Sequence, residues 1–203
     1  LELHENLRES VSLGGATRVF SNGPAWVPRD PQREERHVFG RPQPLTVGPG
    51  QESVWDYPRP PRLEDTTKHI QVILNGVSIA ETRRAKRVLE TSHPPVYYLP
   101  PEDVALRYFA PTRRMTYCEF KGAARYYTIT VGDLSVPTGA WSYPDPTAAY
   151  AALRGYIAVY PGRMEACLVD GERAQAQASD FYGGWITREI VGPFKGEPGT
   201  IGW

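Results

Sequence analysis

Cysteine is scarce in this chain of 203 residues: Cys118 and Cys167 are the only two. Two thiols cannot build a disulfide framework, and the expectation is a pair of reduced thiols inside a cell, with a single bridge between them as the alternative. Charge of one sign is also lacking, since 23 Lys and Arg balance 23 Asp and Glu. No net field draws the protein to nucleic acid or to an anionic membrane, and neither is expected as a partner. No apolar run approaches the roughly 18 residues of a membrane span. The opening stretch LELHENLRESVSLGG does not show the basic-then-apolar pattern of a secretory leader. The expectation is a soluble, cytoplasmic protein. His4, His37, His69 and His93 show no metal-ligand spacing with one another or with the cysteines, so no zinc site and no cofactor is expected. A G-x-S-x-G elbow and a G-x-x-x-x-G-K-[ST] phosphate loop are both absent.

Turn formers, by contrast, are abundant, with 19 Gly and 20 Pro. They favour many short elements over long helices. Residues 1 to 51 are polar and broken by Gly and Pro, with no sustained apolar period. An arm that wraps a partner surface, such as a second subunit in a homodimer, and a solvated tail are the two readings of that composition. From His69 onward the pattern sharpens. Ile70, Val72 and Leu74 alternate along a strand, and Asn75-Gly76 followed by Val77 and Ile79 is a strong hairpin signal. KRVLET (86 to 91), PVYYL (95 to 99) and the run 123 to 131, which returns through GAWSY, read as further strands. PPEDVALRYFA reads as a short helix stopped by Pro111. DPTAAYAALRG reads as the best helix, with Asp145 as N-cap, Pro146 first in the helix and Gly155 at its end. YIAVYPGRMEACLVDGE reads as a hairpin bent at Pro161-Gly162. The sum is a mainly β fold with a minor α contribution. It is antiparallel, barrel-like or of two packed sheets, with one or two short helices and an extended N-terminal arm.

TYCEFKGAARYYTITV, positions 116 to 131, is where chemistry could sit. An ammonium near a thiol favours the thiolate. Cys118 and Lys121, however, are an odd number of residues apart, and in an unbroken strand they would face opposite sides. One reading is a buried structural cysteine with a solvated lysine. The other is a bulge at Phe120 to Gly122 that shifts parity and turns both heads to one face. Tyr97, Tyr98, Tyr126, Tyr127, Trp141 and Tyr143 lie on or beside the neighbouring strands. Alternation would send one tyrosine of each pair inward, to line a pocket or simply to pack the core. Glu90 closes a strand, and a Glu facing Lys121 could be a proton-transfer pair or a structural ion pair.

Longer segments resemble a known family. VLETSHPPVYYLPPEDV, YCEFKGAARYYTI, GAWSYPDP and YIAVYPGRMEA together are similar to the domain-of-unknown-function family numbered 427, also labelled nucleotidyltransferase-like. The resemblance runs over about residues 52 to 203, with ESVWDYPRPPRLE and GGWITREIVGPFKGEPGTIGW resembling the extensions of one subgroup. It implies a compact β-rich domain over 52 to 180 and a Gly- and aromatic-rich extension over 181 to 203. It also implies that the pattern Cys-x-x-Lys-Gly-x-Ala-x-Tyr falls on Cys118, Lys121, Gly122, Ala124 and Tyr126. The family's Glu falls on Glu90 and its Trp-x-Tyr-x-x-Pro on Trp141, Tyr143 and Pro146. It supplies no reaction, and no paired Asp/Glu motif stands ready to hold the metal that nucleotidyl transfer uses.

Two functional expectations stand nearly level. In one, a small enzyme uses Cys118 as nucleophile or redox thiol, Lys121 to activate it or hold an anionic substrate, and Glu90 to orient Lys121 or move protons. In the other, a non-catalytic module grips a small-molecule ligand with Lys121. In both, Tyr98, Tyr126, Trp141 and Tyr143 form the walls.

Overall fold

The computed structural model describes residues 42–200 and 202–203. The arm expected over residues 1 to 51, and the homodimer built through it, lie almost wholly outside the described residues. Among the described residues, fifteen strands follow in chain order: β1 (Glu52–Ser53), β2 (Arg62–Asp65), β3 (Ile70–Leu74), β4 (Val77–Thr82), β5 (Lys86–Leu89), β6 (Val96–Tyr98), β7 (Phe109–Cys118) and β8 (Gly122–Val131). After them come β9 (Leu134–Ser142), β10 (Ile157–Val159), β11 (Ala166–Val169), β12 (Glu172–Arg173), β13 (Gln175–Ala176), β14 (Trp185–Ile186) and β15 (Ile190–Val191).

Three sheets carry the fold, ordered β10-β9-β8-β7, β12-β11-β3-β4 and β2-β5-β6, with two small pairs, β13-β14 and β1-β15. Every ladder is antiparallel except β1 with β15. The expected mainly β, antiparallel, multi-sheet fold is what forms. The barrel alternative is not: none of these sheets closes on itself. The β3–β4 hairpin turns at Asn75 (φ 49°) and Gly76 (φ 71°), the left-handed pair its strand twist requires.

Strand β6 is covered on both faces. Tyr97 and Tyr98 are each 1% exposed, and they belong to different apolar clusters. The two rings take opposite faces, as alternation requires, but the face expected to point outward is covered as well. Alternation holds along β8 as well. Ala124 and Tyr126 pack into an aromatic cluster with Tyr98, Trp141 and Tyr143, whereas Ile129 and Val131 pack into the main core with Ile70, Val72 and Leu74.

Three local expectations are corrected. DPTAAYAALRG forms 3-10 turns over Ala148–Leu153, kinked at Tyr150, rather than an α-helix capped by Asp145. Pro146 is held in a bridge to Gly122, and Tyr150 is drawn inward with its hydroxyl donating to the Pro61 carbonyl at 2.6 Å. The segment left between these anchors is too short for α-helix nucleation. PPEDVALRYFA breaks into 3-10 turns at Pro101–Asp103 and Leu106–Tyr108, and strand β7 runs straight through Pro111. The proline is tolerated because β7 is an edge strand, with a register shift between Pro111 and Met115. YIAVYPGRMEACLVDGE is not a hairpin: β10 joins β9 and β11 joins β3, so the turn at Pro161–Arg163 carries the chain from one sheet to another.

Candidate functional site

Cys118 and Lys121 are joined by a tight turn between two strands. Cys118 pairs with Gly122 as the last rung of the β7–β8 ladder, and Glu119, Phe120 and Lys121 form the loop. Gly122 closes it at φ 96°, a left-handed conformation that suits a three-residue hairpin loop and that a side chain resists. The parity break expected near Gly122 therefore exists, but as a chain reversal and not as a bulge within one strand. Thr147 pins the loop, its hydroxyl donating to the Phe120 carbonyl at 2.6 Å and its backbone N–H to the Lys121 carbonyl at 3.2 Å.

This turn borders a cavity of about 470 Å³. Glu90, Tyr98, Cys118, Lys121, Tyr126, Trp141 and Tyr143 all line it. The aromatic walls are buried and packed on one another. Trp141 lies 4.5 Å from Tyr160 between ring centroids and 6.3 Å from Tyr98, to whose hydroxyl its indole N–H donates at 3.3 Å. Burial pushes the Tyr98, Tyr143 and Tyr160 phenols up beyond the range in which they ionise in water, so these walls are neutral. Two exposed aromatics, Tyr117 and Phe181, are among the lining residues and mark where the cavity meets solvent.

The charged groups are arranged differently from the sequence expectation. Glu90 does not pair with Lys121. Its carboxylate lies 3.7 Å from Arg59 Nε, and Arg59 also holds Glu119 at 3.1 Å. Lys121 is only 7% exposed and, among the described residues, has no carboxylate within ion-pair distance. Its Nζ lies 5.9 Å from the centroid of the Tyr150 ring. Cys118 is partly buried and free, with no hydrogen bond to Lys121 among the described residues. Cys167 is a core residue, 0% exposed, whose thiol burial pushes well above the usual range.

Several cavity residues escaped the sequence reading. Arg59 comes from the Pro-rich segment before β2, while Gln177, Tyr182 and Lys195 come from beyond β12. His93, from the loop after β5, stacks edge-on against Tyr182 with 4.5 Å between ring centroids. Burial, aided by the nearby charges of Lys195, Arg59 and Lys121, depresses its pKa to about 4. No local signal marks these residues, because their proximity is created by contacts across more than 80 positions. The C-terminal segment reaches the cavity through Gly183, where a Cβ would lie 2.3 Å from Trp141 Cη2. Only glycine permits that approach.

Among the described residues, no three His, Cys, Asp or Glu side chains converge so as to hold a metal ion. No helix among them is long and apolar enough to cross a membrane. Residues 62–170 match the model of one protein family, described as Domain of unknown function (DUF427). No curated protein matches the chain.

Proposed function

The chain belongs to the DUF427 family, whose description assigns no activity, and we propose that its aromatic cavity binds a small anionic metabolite carrying a planar or ring-shaped body. One observation carries this reading: Lys121 is buried at the cavity wall and, among the described residues, no carboxylate lies within ion-pair distance to balance it. An ammonium removed from water costs several kcal/mol unless an anion or hydrogen-bond acceptors compensate it. A carboxylate or phosphate entering the cavity supplies that compensation, and the rings of Tyr98, Trp141 and Tyr143 offer flat apolar surface to the rest of the ligand. A volume of about 470 Å³ lies within the size range of small-molecule sites. The test is calorimetric titration of the full chain with a panel of aromatic carboxylates and phosphates. Saturable binding that is lost on replacing Lys121 supports the reading, and silence across the panel contradicts it.

Thiol chemistry is the second reading, favoured by the presence of Cys118 in the same cavity wall as Lys121 and the neutral imidazole of His93. In that reading Cys118 is the nucleophile, Lys121 holds the anionic substrate, and Glu90 acts through Arg59 rather than through Lys121. Two free thiols suit a reducing compartment, and a cytoplasmic location belongs to the same proposal.

A further inference from the structure

Three donors from three separate parts of the chain reach the cavity: Lys121 from the β7–β8 loop, His93 from the loop after β5, and Lys195 from the segment after β15. The charges of Lys195 and Lys121 both act on His93, so the three lie in one neighbourhood. The hydrogen on His93 is fixed by Gln177. That amide accepts from the Gly184 N–H at 3.2 Å through its oxygen and donates through Nε2 to the Lys195 carbonyl at 2.6 Å and to His93 Nδ1 at 3.0 Å. The two backbone contacts set the amide's orientation, so Nδ1 must accept. The neutral ring then carries its hydrogen on Nε2, which has no protein partner among the described residues.

Charge counting identifies what these donors face. Glu90 and Arg59 form one pair, and Glu119, 66% exposed, is screened by water. Lys121 and Lys195 have no side-chain carboxylate among the described residues; Lys195 Nζ donates to the backbone oxygen of Trp203 at 2.5 Å. Neither ammonium thus has a side-chain carboxylate opposite it among the described residues, Lys195 being held by an oxygen of Trp203, and a neutral N–H donor lies beside them.

We propose that this cavity selects a phosphomonoester dianion attached to an aromatic body, and that Lys195 and His93 are the residues that distinguish it from a monocarboxylate. The proposal rests on the anion-binding reading of the same cavity and deepens it. A phosphate monoester concentrates two charges and three acceptor oxygens on one tetrahedral centre, which two ammonium groups and an imidazole N–H can approach from different directions. A carboxylate offers one charge and two coplanar oxygens, too few acceptors to engage both lysines and the imidazole N–H at once. Arg59, Gln177 and Lys195 all lie outside the 62–170 segment matched by the family. The flanking segments therefore complete the selecting wall.

The experiment is isothermal titration of the full chain with phenyl phosphate and with benzoate at about pH 7.5, above the second phosphate pKa of about 6. Phenyl phosphate is expected to bind about tenfold or more tightly than benzoate, the worth of one additional charged hydrogen bond. Lys195→Gln, checked for folding by its melting temperature, is expected to compress that ratio to within about threefold, and Lys195→Arg to preserve it. The wild-type ratio requires no variant. Equal affinities for the two probes overturn this proposal while leaving the anion site standing. An undiminished ratio in folded Lys195→Gln overturns the role of Lys195. Binding of neither probe overturns the anion site itself, and this proposal with it.

Discussion

Gln177 donates a hydrogen bond to Nδ1 of His93 at 3.0 Å, across 84 positions of sequence. Burial keeps the imidazole neutral, and the surrounding cations Lys195, Arg59 and Lys121 oppose its protonation further. The unfolded ring titrates near 6.5 and the folded ring near 4. Folding thus favours the neutral form. Stability is unaffected above pH 6.5, falls as the unfolded ring protonates below it, and is lower by about 3 kcal/mol near pH 4, where the folded ring protonates too. Urea unfolding of wild type and His93→Gln between neutral pH and about pH 4 checks this, with the variant expected to lose less stability over that window. Parallel curves would show that His93 is not the group responsible.

The two thiols should differ sharply. Cys118 lines the cavity, whereas Cys167 is sealed in the main core beside Ile70 and Val72. Iodoacetamide is expected to label one thiol per native chain, at Cys118, with Cys167 slower by about a thousandfold because it must wait for unfolding. Peptide mapping of the labelled sites is the measurement. Cys118→Ser should remove the fast phase.

Gly122 closes the turn that places both Cys118 and Lys121. At φ 96°, alanine is strained, and its Cβ would also stand 3.4 Å from the Asp145 carbonyl. Gly122→Ala is expected to destabilise the fold by about 1–3 kcal/mol, read from its urea midpoint, and to weaken anion binding by displacing the loop.

Much of the architecture was legible because it is local. Asn75-Gly76 carries its own turn geometry, and the strands around Ile70 and Tyr126 declare themselves by β-branched and aromatic runs. The failures share a cause, which is tertiary contact overriding local pattern. The Ala-rich run after Pro146 has good helix composition, yet its ends are tied to Gly122 and Pro61. The PVYY strand was expected to show one face to water, but both faces are covered. At the candidate site, Cys118, Lys121 and Tyr126 are close in sequence, and Trp141 lies opposite Tyr126 on the adjacent strand. Proximity among these was readable. Arg59 and Lys195 are 136 positions apart, and no periodicity links them. Glu90 was matched with Lys121, but the chain brings Arg59 to it instead.

The central claim is that Lys121 is held in the cavity wall for a ligand and not for the fold. Benzoate titration of wild type and Lys121→Met, with urea stability measured on both, tests it most directly. The account predicts that the variant loses affinity by about tenfold or more while its stability is equal to or above wild type, because an uncompensated buried charge has been removed. Undiminished binding by a folded Lys121→Met, or a loss of several kcal/mol in its stability, would contradict it.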